Sequence, residues 1–195
     1  GQQIANTFAD GYDAVLLENH GVVTVGKSLL EAFQRLETLD FCARTQMYAQ
    51  GLGKVSTLTD EQITIFDIRK NLLPEFSDHR HTSDELEKRA LIVDIVRRAC
   101  QRQLMISTEG VMSARVGEDS FLITPTGYDP PTITSDDLVL IQEGKREAGK
   151  LPSRSVLLHE AIYRNHPMIN CIITSQAPYI TAYAITAHKM DTKTI

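Results

Sequence analysis

The chain has 195 residues, 42% of them hydrophobic and 23% charged, enough apolar material for one sizeable core or two small ones. Its formal net charge is -5 and its lysines and arginines are dispersed rather than gathered into a stripe, which argues against nucleic acid as a partner. No opening basic segment leads into an apolar stretch, and no run approaches the roughly 18 apolar residues of a membrane span, so a cytoplasmic protein with no membrane partner is expected.

In "AVLLENHGVVTVG", two short runs rich in β-branched residues flank Asn19, His20 and Gly21, the pattern of strands meeting at a turn. His20 is either a metal ligand or a residue that only fills the turn. Ser28 to Glu31 has capping-box spacing, and Leu29, Phe33, Leu36, Ala43 and Met47 recur at helical intervals, predicting a long amphipathic helix over 29–49. "GLGKVSTLTDEQITIFDIRKNLLPEFSDHRH" reads as a linker with one small helix around 60–73. His79 and His81 inside it have H-x-H spacing, but their polar surroundings mark a solvated stretch rather than a metal site.

A second capping box, Thr82 to Glu85, opens a helix whose apolar face runs Leu86, Ala90, Val93, Cys100 and Leu104, with the charged side over 84–102 turned to solvent. Strands are expected at 112–116, 120–124 and 138–142, joined by polar and proline-rich turns. A helix follows Pro152 and runs to about 165, then a buried strand "INCIITS" and a helix starting at Pro178. Cys42, Cys100 and Cys171 each sit in an apolar pattern and read as small buried hydrophobes of a reducing compartment. The order is one of helices and hairpins, not a regular βαβ repeat.

Two stretches carry a family resemblance. "AVLLENHGVVTVGKSLLEAFQRLETLDFCA" resembles the C-terminal part of the class II aldolase/adducin family, best known for fuculose-phosphate and ribulose-phosphate enzymes. "IVDIVRRACQRQLMISTEGVMSARVGEDSFLITPTGYDPPTITSDDLVLI" and "LPSRSVLLHEAIYRNHPMINCIITSQAPYITAYA" resemble its N-terminal part, so the parts come in reversed order. The resemblance implies an α/β fold, a three-layer α/β/α sandwich with a mainly antiparallel central sheet. It divides the chain into 1–50, the C-terminal part of one module; 51–81, a linker with a short helix; and 82–195, the N-terminal part of a second module. A single circularly permuted module is the alternative.

The same resemblance implies a chemistry. A zinc ion held by three histidines polarises the oxygens of a sugar phosphate, a glutamate moves the proton, and a loop of small residues holds the phosphate. His20 matches the ligand in the family's "NHG". Where the family has H-x-H this chain has Thr174, Ser175 and Gln176, and where it has P-S-S-E this chain has Pro152, Ser153, Arg154 and Ser155. Residues 82–195 therefore lack zinc ligands and the acid-base carboxylate. The phosphate loop keeps Thr108, Gly110, Ser113 and Arg115 in "STEGVMSAR", with Val111 in the asparagine position, and Thr126 and Gly127 in "ITPTGYD".

The candidate anion site is thus Gly110, Thr126, Gly127, Ser153 and Arg154, the last adding a guanidinium suited to bidentate contacts, and His20 is the one candidate metal ligand. His159 matches a family histidine and is read as packed and hydrogen-bonded; Tyr128, Tyr163, Tyr179 and Tyr183 read as core or interface. The implied parent is a zinc-dependent sugar-phosphate aldolase or related lyase acting on a small phosphorylated sugar, with this segment alone inactive and not holding zinc tightly. The alternative is a non-catalytic oligomerisation or anion-binding scaffold, as adducin's head resembles an aldolase without being one. A homo-oligomer is expected in either case.

Overall fold

The computed structural model describes residues 1–68, 73–77 and 80–193. In chain order its elements begin with α1 (Gln2–Ala9), β1 (Ala14–Leu17), β2 (Gly21–Thr24), α2 (Leu29–Gln50) and α3 (Asp60–Ile68). They continue with β3 (Glu75–Phe76), α4 (Ser83–Gln101), β4 (Val111–Gly117), β5 (Ser120–Ile123), β6 (Val139–Gln142), β7 (Lys145–Glu147), α5 (Val156–Asn165), β8 (Cys171–Thr174) and α6 (Pro178–Ala184). Two compact units result, Gly1–Val55 with Pro178–Ile195, and Ser56–Ala177. Among the described residues no helix is long and apolar enough to cross a membrane.

In the first unit β1 and β2 pair antiparallel, with Val15 opposite Val23. The reversal needs left-handed backbone at Asn19 (φ 57°) and Gly21 (φ 143°), which a short polar side chain and a missing Cβ respectively tolerate. Ser28 caps α2 by accepting the Glu31 N–H at 3.1 Å. Arg35 reaches back from α2 to Asp13 at 3.1 Å and to Glu31 at 3.0 Å, tying the helix to the start of the hairpin. The expected apolar stripe of α2 is not the one that packs: Leu29 is 88% exposed and Phe33, Leu36 and Met47 are also exposed. Phe41, Thr45 and Ala49 form the buried i, i+4 seam instead, and α6, whose Ala182 is buried, packs against α2 with Tyr179 stacked on Tyr48 at 4.3 Å. Cys42, one residue off that seam, is exposed rather than buried.

The second unit is built on a six-stranded sheet in the order β3-β7-β6-β5-β4-β8. The sheet is mixed: β3 runs parallel to β7, while the pairings among β7, β6, β5, β4 and β8 are antiparallel. The two-residue β3 is separated from β7 by α4 and three strands, a connection long enough to enter in the parallel sense. On one face Ile92, Val93, Val96 and Ala99 of α4 pack on Met112, Ala114, Leu122 and Leu140. On the other, Val156 and Tyr163 of α5 pack on Val111, Phe121, Ile123, Val139 and Ile141. The β8 strand is an edge rather than a buried strand, so its burial alternates and Cys171 and Ile173 are exposed. Cys100 is half-buried.

The buried stripe of α4 keeps Val93 of the expected face, with Cys100 packed against the same core, but otherwise differs from it. Leu86, Ala90 and Leu104 are exposed, and the first two turns bury Glu85 and Arg89, each 2% exposed. Arg89 donates to Glu85 at 2.7 Å, to Glu147 at 3.1 Å, and to the carbonyls of Ser135 (3.0 Å) and Leu138 (2.7 Å). Every arm of the guanidinium is used, so a charge that would be costly to bury becomes the joint between α4, β7 and the turn before β6. His81 adds a 2.9 Å contact to Glu85; His79, its H-x-H companion, lies outside the described residues.

Arg89→Ala leaves Glu85 buried without its main counter-ion and is expected to cost about 3–5 kcal/mol in urea unfolding. Lys88→Ala, which breaks only the partly exposed 2.6 Å pair with Asp84, is expected to cost about 0.5 kcal/mol or less. Similar losses for both variants would contradict the assignment of Arg89 as the joint.

Candidate functional site

Three backbone segments meet at one end of the sheet of the second unit. The 124–127 loop is held to β4, where the Thr124 N–H donates to the Met112 carbonyl at 3.0 Å and the Met112 N–H to Thr124 Oγ1 at 3.3 Å. The 151–155 loop is stapled to it by the Thr126 N–H to the Leu151 carbonyl (3.1 Å) and the Ser153 N–H to the Thr124 carbonyl (3.0 Å). Ser153 also accepts the Ser155 N–H on its hydroxyl at 3.2 Å, turning the chain into α5. The third segment precedes β4, where Gly110 has φ +101° and a Cβ would lie 2.4 Å from the Met105 methyl, so any other residue there is both strained and crowded.

These segments enclose a cleft of about 630 Å³ that brings together Gly110, Thr126, Gly127, Ser153 and Arg154. Gly127 has φ +65°, the left-handed conformation. Val111 forms an apolar part of the wall, and Thr174, Ser175 and Gln176 complete the rim after β8. Ser155 stands at the N-cap of α5 with no side-chain cap bond.

Two of the retained loop residues are elsewhere. Ser113 is buried beneath α5, and Arg115 is committed to structure: it lies over the Tyr163 ring at 4.8 Å and donates to the carbonyls of Tyr163 (2.8 Å), Glu118 (2.8 Å) and Ile169 (3.2 Å). His20 sits exposed on the β1–β2 turn of the first unit, its backbone N–H bonded to the Leu17 carbonyl at 3.1 Å.

The donors at the cleft rim do not fit zinc. Thr174 and Ser175 offer neutral hydroxyls, the latter engaged with the Leu104 carbonyl, and the Gln176 amide donates to Glu109 at 3.0 Å. Among the described residues no group of three or more His, Cys, Asp and Glu side chains is placed to hold a metal ion. The Glu109–Gln176 contact, which closes the rim, has no short-range sequence signal because its members are 67 positions apart.

Beneath the cleft His159 is fully buried on α5, with Nδ1 2.7 Å from Ser113 Oγ and Nε2 3.0 Å from Thr174 Oγ1; Ser113 Oγ is also 2.7 Å from the Tyr163 hydroxyl. Burial lowers the His159 pKa from 6.5 to about 4 and raises that of Tyr163 to about 12. The neutral ring is the folded form, so its stabilisation is complete above the unfolded value of 6.5 and is lost as pH falls from there through about 4. The full effect is about 3 kcal/mol at most. Over that window the urea midpoint should fall more steeply for the wild-type chain than for His159→Gln, which has no ring to titrate; equal slopes would show that His159 is not the group responsible.

Comparison with known proteins gives a consistent picture. The model of the family described as Class II Aldolase and Adducin N-terminal domain matches residues 1–47 and 90–195. The chain is 40% identical over 84 residues to the 5-methylthioribulose-1-phosphate/5-deoxyribulose-1-phosphate aldolase of Escherichia coli strain S88, covering 43% of this chain and 39% of the relative. It is 36% identical over 95 residues to the L-fuculose phosphate aldolase of Escherichia coli K12, covering 48% and 44% respectively. The crystal structure of YgbL from Klebsiella pneumoniae superposes with a TM-score of 0.50 at 25% identity, covering 53% of this chain and 50% of that one. The matches span less than half the length of these two curated relatives.

Proposed function

The chain belongs to the class II aldolase and adducin family, and on that premise we propose that residues 82–195 are the N-terminal part of a degenerate module whose cleft holds a small anion without catalysing its cleavage. Residues 1–50 are then the C-terminal part of another module and 51–81 the linker between them, a reading supported by the separate matches of one family model to the two ends. The observation that carries the proposal is the composition of the cleft: Thr126, Gly127, Ser153 and Arg154, residues that carry hydroxyls, a flexible backbone and a guanidinium, line it together, and among the described residues no zinc-binding donor set does.

The chemistry follows from those groups. Arg154 supplies a planar fork of donors that matches two oxygens of a phosphate, and hydroxyls adjust to the rest. The first turn of α5 begins beside Ser153 and Arg154; its Val156 N–H is taken by the Ser153 carbonyl at 3.0 Å, and the following N–H groups of Leu157 and Leu158, which line the cleft, are the ones an anion would meet. Glu109 on the same rim opposes a second negative charge, and Val111 stands where a donor would strengthen the grip. Weak binding is the expected result. With Ser155 in place of a carboxylate, no residue at the start of α5 titrates near neutral pH to move a proton.

On this reading the parent protein is a metal-dependent sugar-phosphate aldolase or related lyase whose chemistry belongs to a complete module, with zinc as its cofactor and His20 as the ligand this chain contributes. A phosphorylated sugar is the natural ligand class, since both aldolases named above carry a sugar phosphate in their names. A scaffold that forms homo-oligomers is the second reading, favoured by the exposed edge strand β8, whose outer backbone groups are a template for another strand.

Titrating inorganic phosphate while following backbone amide shifts tests the proposal. Gly127 and the first turn of α5 should respond with a dissociation constant in the millimolar range, about -4 kcal/mol, and Arg154→Ala should abolish the response. A wild-type chain with no response at these amides would overturn the anion reading. The chain should also release no aldehyde from ketose phosphates with or without added zinc; metal-dependent turnover abolished by Ser155→Ala would refute its inactivity.

A further inference from the structure

The buried polar contacts beneath α5 form one continuous chain that ends at the cleft: Tyr163 hydroxyl, Ser113 Oγ, His159 and Thr174 Oγ1, with links of 2.7, 2.7 and 3.0 Å. Tyr163, Ser113 and His159 are buried, whereas Thr174 lines the cleft. Among the described residues the polar side-chain atoms of these four make no other hydrogen bond. The chain joins α5 to two neighbouring strands, β4 and β8, beneath the site rather than decorating one helix.

A neutral imidazole has one N–H and one accepting nitrogen, and burial keeps His159 neutral and Tyr163 a phenol. In one arrangement Tyr163 donates to Ser113, Ser113 donates to Nδ1, and Nε2–H donates to Thr174. Every buried proton then has an acceptor. With the other tautomer Thr174 must donate to Nε2 and Nδ1–H to Ser113, and the hydroxyl proton of either Ser113 or Tyr163 is left in the interior with nowhere to go. We infer that the chain is directional: Tyr163, Ser113 and His159 are positioning residues that keep the Thr174 hydroxyl proton free, and Thr174 donates it to an oxygen of an anion in the cleft. The identity of the acceptor rests on the anion-binding reading of the cleft, whereas the direction of the chain does not. A wall of this kind selects ligands that accept, such as phosphate or carboxylate oxygens, over ligands that donate, such as an ammonium group.

Long-range proton–nitrogen correlation on the nitrogen-15-labelled full chain at neutral pH, without phosphate, reads the tautomer of His159 directly. The expected result is protonated Nε2 and bare Nδ1; the opposite tautomer overturns the inference whatever the cleft binds. Thr174→Val removes the acceptor of Nε2–H, so either tautomer then leaves one proton without an acceptor and the Nδ1–H form should become detectable, whereas Tyr163→Phe, which leaves Ser113 no acceptor but Nδ1, should keep the Nε2–H form. Inorganic phosphate then tests the donor: Thr174→Val should weaken binding roughly tenfold and Thr174→Ser should restore it. Unchanged binding in Thr174→Val with an intact wild-type response overturns the donor role while leaving the anion reading in place. No wild-type response overturns that reading, and with it phosphate as the acceptor.

Discussion

Alternation along β4, pinned between two helical layers, is the constraint on which the second unit depends. Met112 and Ala114 point to the α4 side and join its core, so Val111 and Ser113 must point to α5. A slip of one residue would drive methionine under α5 and serine into the larger apolar cluster. Because the register with β8 sets Val111 opposite Thr174 and Ser113 opposite Ile172, the same alternation brings Ser113 and Thr174 to the two nitrogens of one histidine. The polar chain under the cleft is thus a by-product of sheet geometry, stabilised because each of its groups finds a partner.

The cleft is made rigid by backbone rather than by side chains. The loops at 124–127 and 151–155 share two backbone hydrogen bonds, Thr126 N–H to the Leu151 carbonyl and Ser153 N–H to the Thr124 carbonyl, which together make the antiparallel bridge of Pro125 to Pro152, where neither nitrogen can donate. Backbone anchoring means that rim side chains can change without moving the loops. Exchanging a carboxylate for Ser155 or imidazoles for Thr174 and Gln176 changes what the rim can bind but does not touch the hydrogen bonds that hold the loops. An anion needs only donors and positive charge, and the rim keeps those; a metal ion needs several strong donors converging on one point.

Helix and strand positions were largely legible because their signals are local. Ser28 and Thr82 each accept the N–H three residues on, as their spacing indicates, and β4, β5, β6 and β8 fall where β-branched runs are bounded by turns. Helix faces were legible from hydrophobicity only in part: Val93 is buried in α4 and Cys100 packs against the same core, as expected. In α4 the buried stripe includes Glu85 and Arg89, whose burial is compensated by Glu147 and two carbonyls far along the chain, so local pattern reading turned the helix toward Leu86 and Leu104. In α2 the seam with α6 uses Thr45 and Ala49, residues small enough for close packing but weak as apolar signals. The β7 strand reads Lys145, Arg146 and Glu147, a sequence with no strand propensity that is placed by its neighbours and by Arg89. The cleft residues were legible only through family resemblance; nothing in their spacing brings Gly110, Thr126 and Arg154 together.

A crystal structure of the chain grown with both zinc and inorganic phosphate, with anomalous scattering recorded at the zinc edge, tests the central claim most directly. The result expected is phosphate against Arg154, Ser153 and Gly127, with one oxygen within hydrogen-bond distance of Thr174 Oγ1, and no anomalous peak at the rim. A zinc peak bound by Glu109, Gln176 and Thr174, with phosphate absent from the loop, would contradict it.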